Sequence, residues 1–209
     1  MKFFDAPPAP SPRRVRMFIA EKGLAIDTVI LDLRQHEQLN EEFKAKNPRC
    51  TVPVLELDDG TCLTETLSIC HYLESLHPEP NLLGDDAKEQ ALVLMWNDII
   101  MFNGFAAAGE ALRNFAKMFN NRSVTGPENY PQIPQLADRG RLRTEHFLTE
   151  LNERLADSEY VAIERFSMAD ITAYVCIEFA GWIKVPIKDD QPHLRRWFDA
   201  VASRPSASA

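Results

Sequence analysis

The hydrophobic pattern changes period part-way along the chain. As far as His77, short β-rich runs alternate with short helical stripes; beyond Asp86 the pattern is helical throughout. Lys2–Asp5 reads as a short strand, and the loop Ala6–Pro10 follows it. Ser11-Pro12 predicts a helix start, with serine as the N-cap and proline as the first helical residue. Val15, Phe18 and Ile19 supply an i, i+3, i+4 apolar stripe, and Gly23 stands where such a helix stops. Thr28–Leu33 is β-rich, Gln38–Lys46 predicts a short polar helix, and Asn47-Pro48 ends it. Val54–Leu57 and Thr61–Leu63 flank Asp58-Asp59-Gly60, a hairpin signal. Leu67, Ile69, Cys70, Leu73 and Leu76 form one face of a helix over Glu65–Leu76. The order is βαβαββα, an α/β unit over residues 1–78.

The stretch PEPNLLGDD, within 78–86, is polar and rich in breakers, so residues 79–87 read as a linker to an all-α domain over 88–209. Lys88 to about Phe119 predicts one or two helices, Asn120–Pro134 a long loop, and Gln135–Leu155 a further helix. Ser167-Met168-Ala169-Asp170 is a capping box ahead of an apolar helix over Ile171–Ile183. Gln191–Ser203 closes the series. The fold class is therefore α/β plus all-α.

Composition narrows the function. The 209 residues carry a net charge of −8, which argues against nucleic acid or an anionic membrane as main partner. No apolar run reads as long enough to span a bilayer, and MKFFDAPPAP lacks the apolar core of a signal peptide, so a cytoplasmic protein is expected. Cys50, Cys62, Cys70 and Cys176 show neither C-x-x-C nor zinc-ligand spacing; four reduced cysteines and no metal are expected. Arg13, Arg14 and Arg16 form a basic cluster that reads as a solvated helix face.

A βαβαββα unit joined to helices resembles the cytosolic glutathione transferases, and the motifs carry this further than the topology. VPVLELDDGTCLTETLSICHYLE is similar to that family's glutathione-site core, FSMADI to its C-terminal helix start, and SPRRVRMFIAEKGL to its first helix. Within the family the chain is most similar to the atypical bacterial and fungal group with a P-x-P-x-R-V-R helix start. The resemblance implies a thioredoxin-like N-terminal domain, a C-terminal helical bundle and a homodimer. It implies glutathione as co-substrate, with no other cofactor.

It also implies roles for particular residues. In the family the peptide before the Pro53 equivalent is cis, which costs an X-Pro bond only about 0.5–1 kcal/mol. The Val52 backbone then faces a cleft, where an extended tripeptide can pair with it as an added strand. Glu65-Thr66 opens a helix whose N–H groups and dipole attract a carboxylate. The Glu65 carboxylate suits an ammonium and the Thr66 hydroxyl adds a hydrogen bond; the γ-glutamyl end of glutathione carries both charges. Gln38 falls where relatives place a cation for the glycyl carboxylate, and a solvated helix residue is the plainer reading. Ser11 is expected to donate to the glutathione sulfur. Holding a thiolate two pKa units lower needs about 2.7 kcal/mol, and one hydrogen bond to a charge supplies roughly 1.5–3 kcal/mol. Asn114, beside Arg113, is the second candidate, and a surface dipeptide is its plain reading. Serine at the helix start disfavours dithiol exchange. Cys50, where relatives often carry glycine, lies close enough to the expected cleft to be glutathionylated.

The function expected is a transferase adding the glutathione thiolate to a small hydrophobic electrophile, with Phe102, Phe105 and Phe179 as guesses for the pocket lining. The alternatives are a non-catalytic glutathione-binding or interaction module, and a glutathione-dependent peroxidase or isomerase.

Overall fold

The structure, a computed structural model, describes residues 1–209. The chain forms two compact units: Met1–Pro80, with which residues 125–128 and 208–209 group, and the helical remainder.

The first unit holds a four-stranded sheet in the order β2-β1-β3-β4, built from β1 (Lys2–Asp5), β2 (Asp27–Ile30), β3 (Val54–Glu56) and β4 (Cys62–Thr64). β1 runs parallel to β2 and antiparallel to β3, and β3 and β4 form the hairpin predicted around Gly60. Alternation along β1 splits two phenylalanines between the faces. Phe4 packs edge-on against Phe43 of α2 (Glu41–Lys46) at 6.0 Å, in a cluster with Leu31 and Val54. Phe3 and Leu55 take the opposite face, and α1 (Pro10–Glu21) and α3 (Thr66–Leu76) pack together with buried Phe18, Ile69 and Leu73.

Two expectations change here. The predicted Gln38–Lys46 helix divides, because Asn40 takes the extended N-cap conformation of α2 and accepts from the Phe43 N–H at 2.7 Å. Gln38 falls instead in a 3₁₀ turn over Glu37–Leu39. Helix α1 starts two residues earlier than predicted: Pro10 is its first residue and Ala9 its cap. Ser11 therefore sits inside the first turn, not at the cap.

The second unit contains α4 (Ala87–Ile99), α5 (Ala106–Phe115), α6 (Pro134–Arg154), α7 (Met168–Trp182) and α8 (Pro192–Ala202). A π-helical segment, Ile100–Phe105, joins α4 to α5. Together they run unbroken over Ala87–Phe115, 29 residues, long and apolar enough by length and composition to cross a membrane. This corrects the reading that no run is long enough. Polar Asn97, Glu110 and Arg113 interrupt the apolar sequence but not the helix. Val93, Ile100, Ala107, Ala108 and Ala111 are buried where the helix meets α6 and α7, so these apolar residues serve a helical core. Buried Asp170 in α7 collects four donors: the N–H groups of Val161 and Ser167, the Ser167 hydroxyl and the Trp197 indole. The capping box read from the sequence thus extends to α8.

Candidate functional site

Three chain segments converge at one end of the sheet. β1 ends at Asp5, beside the start of α1; Val54 pairs with Phe4, so Pro53 enters β3 at that end; Thr64 pairs with Val54 and leads into α3. Ser11, Val52, Pro53, Glu65 and Thr66 all lie on these junctions.

The Val52–Pro53 peptide is cis. The backbone of Val52 makes no hydrogen bond within the protein, whereas the preceding turn is firmly held. Buried Asn47 donates through Nδ2 to Thr51 O at 2.8 Å and Thr51 Oγ1 at 3.0 Å, and its Oδ1 accepts from the Arg49 N–H. The sequence reading used Asn47 only as a helix stop; its place before a turn and a proline was the available signal.

Glu65 is the N-cap of α3 at φ 67, ψ 129, and no side chain caps that helix. The first-turn N–H groups, Thr66 among them, are left for another partner. The Glu65 carboxylate is exposed, with Arg49 3.9 Å away, a distance that leaves both charges largely solvated. Thr66 is buried and its hydroxyl is already used: it accepts from Arg14 Nη2 at 3.0 Å and donates to Ser11 O at 3.2 Å. Its backbone N–H, not its proton, faces the ligand role.

Ser11 Oγ lies 3.4 Å from Arg14 Nη2 and caps nothing. Gln38 is half-buried, and its Oε1 is buried without a partner. Arg14 itself is 3% exposed, and Arg16 pairs with buried Asp5 at 2.7 Å. The basic cluster is therefore not a solvated face. Arg14 stands four residues before Phe18, in register with the apolar stripe, which was the signal for its burial.

Cys50 is 3% exposed, with its thiol toward Pro48 O, so mixed-disulfide formation there lacks the access it needs. Its φ of 53 is the left-handed conformation that glycine adopts freely. All four cysteines are free; burial pushes the Cys70 thiol far up.

In the helical unit Asn114 is buried, not a surface residue. Its Nδ2 donates to Glu110 O at 2.8 Å and its Oδ1 accepts from the Ile133 N–H at 2.8 Å, which ties the end of α5 to the start of α6. Phe105 and Phe179 are buried against each other, while Phe102 is 69% exposed.

Comparison with known proteins follows the same division. The family model "Glutathione S-transferase, N-terminal domain" matches residues 9–76, and "Glutathione S-transferase, C-terminal domain" matches residues 110–205. Glutathione S-transferase 2 of Saccharomyces cerevisiae is 34% identical over 210 aligned residues, covering 99% of this chain and 87% of the yeast protein. Maleylacetoacetate isomerase of Mus musculus is 32% identical over 178 residues, 83% of this chain and 75% of the mouse protein. The crystal structure of a glutathione S-transferase domain-containing protein from Marinobacter aquaeolei superposes with a TM-score of 0.91 at 36% identity, over 99% of each chain.

Proposed function

Because this chain belongs to the glutathione S-transferase family of enzymes, we propose that it binds glutathione on its thioredoxin-like unit and adds the thiolate to a small hydrophobic electrophile. One observation carries the reading: the unpaired Val52 backbone stands at the same end of the sheet as the uncapped start of α3. The first suits an extended peptide as an added strand. The second, with Glu65 beside it, suits a group bearing both a carboxylate and an ammonium. Ser11 supplies a hydroxyl whose proton has no acceptor within the protein, and it donates to the sulfur. Gln38 offers its amide to the glycyl carboxylate. Asn114 already spends both ends of its amide inside the helical unit, so Ser11 is the preferred thiol donor. Like its relatives, the chain is proposed to act as a homodimer.

Calorimetry tests the site. Glutathione should bind, and cysteinylglycine, which lacks the γ-glutamyl end, should bind at least about tenfold more weakly, a loss of about 1.4 kcal/mol. Equal affinity for the two peptides would remove Glu65 and the α3 start from recognition.

The mouse isomerase relative favours a second reading on the same site. The thiolate adds to a carbon–carbon double bond, the bond rotates, and the thiolate leaves.

A further inference from the structure

Arg14 places a buried guanidinium beneath both proposed glutathione contacts. One nitrogen, Nη2, donates to Thr66 Oγ1 at 3.0 Å and stands 3.4 Å from Ser11 Oγ. Guanidinium carries donors only, so both hydroxyl oxygens face it as acceptors. The Thr66 hydroxyl in turn donates to the Ser11 carbonyl at 3.2 Å. The starts of α1 and α3 are thereby tied through one cation. Ser11 differs from Thr66 in one respect: its proton finds no acceptor in the protein.

A hydroxyl that accepts from a fixed cation turns its O–H bond away from that cation. Arg14 is held by burial, and its charge is weakly screened there. Lys22 and Glu74 also pair between α1 and α3, and both act with Arg14 on buried Cys70. The Arg14 guanidinium is the charged group that reaches Ser11 Oγ, at 3.4 Å.

We propose that Arg14 is a positioning residue for thiol activation: it directs the Ser11 O–H toward the glutathione sulfur and backs that donor with a fixed positive charge. The inference rests on the reading that Ser11 is the thiol donor. No covalent step is added; the glutathione S–H loses its proton to solvent, and the thiolate accepts from Ser11.

The test measures the thiol pKa of bound glutathione by ultraviolet thiolate absorbance across pH, with affinity followed by calorimetry. The variants are Ser11→Ala, Arg14→Lys, the double variant, and Thr66→Val. Lysine keeps the charge but not the planar fork that reaches both hydroxyls. Ser11→Ala and Arg14→Lys should each raise the bound thiol pKa by about one unit or more, while glutathione affinity changes less than threefold, about 0.65 kcal/mol. The double variant should shift no further than Ser11→Ala alone. Thr66→Val, which removes the guanidinium's anchor without touching a buried charge, should shift the pKa in the same direction.

Ser11→Ala with an unmoved pKa would sink the donor reading and this proposal with it. A shift in Ser11→Ala but none in Arg14→Lys overturns the positioning role alone. Additive shifts in the double variant also overturn it, because Arg14 would then act on the sulfur directly. Should Arg14→Lys fail to fold, an unmoved pKa in Thr66→Val decides against the proposal.

Discussion

Glu65 occupies φ 67, ψ 129, a conformation that costs a residue with a Cβ about 1–3 kcal/mol and persists where the surroundings enforce it. Its carboxylate is largely solvated and contributes little to folding. Glu65→Gly should therefore stabilise the protein by up to about 1 kcal/mol, read as a higher urea midpoint at unchanged slope. The same variant should bind glutathione more weakly, because the ammonium partner is gone. A variant that loses stability would show that the Glu65 side chain holds the turn and that the strain argument is wrong. Residues of this kind separate what the sequence discloses from what it hides. Glu65 and Thr66 are legible as a pair because a helix start needs no tertiary knowledge. The left-handed backbone at Glu65 and Cys50 is not legible, since neither residue type signals positive φ. The Thr66 hydroxyl is a sharper case: its proton goes to Ser11, 55 residues away in sequence. No local pattern encodes that partner.

At the scale of elements, periodicity located most helices, and boundaries moved where a side chain or a close approach decided them. Pro10 took the first position of α1 and displaced Ser11 inward, and Asn40 divided a predicted helix by capping its second half. The π-helical segment between α4 and α5 had no sequence signal, because its apolar residues fit an α-helical period nearly as well. Close helix packing does leave a mark, in glycine. A Cβ on Gly140 of α6 would stand 2.5 Å from Ala107 O and 2.7 Å from Ala111 N, backbone atoms of α5. One on Gly181, in the last turn of α7, would meet nothing within 4 Å. Alanine is better than glycine in a helix by about 1 kcal/mol, while overpacking costs about 1–3 kcal/mol. Gly181→Ala should raise the thermal midpoint and Gly140→Ala should lower it. Equal responses would mean that α5 and α6 do not approach as closely as described. A second link joins the loop before α7 to the start of α4. Arg165 donates to both Glu89 oxygens, at 2.9 and 2.6 Å, and holds the Glu89 carboxyl down from its usual 4.5 to about 2. A depressed carboxylate stabilises the fold above its unfolded pKa, and that contribution is lost as pH falls from 4.5 toward 2. Glu89→Gln should flatten the acid limb of the stability–pH curve in this window, and added salt should shrink the difference because the pair is partly exposed. An acid limb identical in both proteins would discard the pair.

For the whole molecule the question is what would follow formation of the thiolate, since the proposed glutathione site could serve two outcomes. Addition to an electrophilic double bond leaves a carbanion next to an activating group. If a proton arrives, the thioether persists and glutathione is consumed one for one. If the single bond rotates first, expulsion of the thiolate restores the double bond in the other geometry and returns glutathione unchanged. Folds related to this one are named for each chemistry, a yeast transferase at 34% identity and a mouse isomerase at 32%. The thiol half of the site therefore cannot distinguish them; the electrophile's surroundings must. In the helical unit, Phe105 and Phe179 are packed against each other, with Trp182 edge-on to Phe179. The small hydrophobic electrophile proposed above is unlike the substrate for which the mouse isomerase is named. Conjugation is thus the expected outcome. With a neutral aryl or enone electrophile, free thiol should fall in step with product. With maleylacetoacetate, turnover should be slow. Rapid turnover of maleylacetoacetate at constant free thiol would reverse the assignment, and Ser11→Ala should slow whichever reaction proves real by about ten- to a thousandfold, or about 1.4–4 kcal/mol.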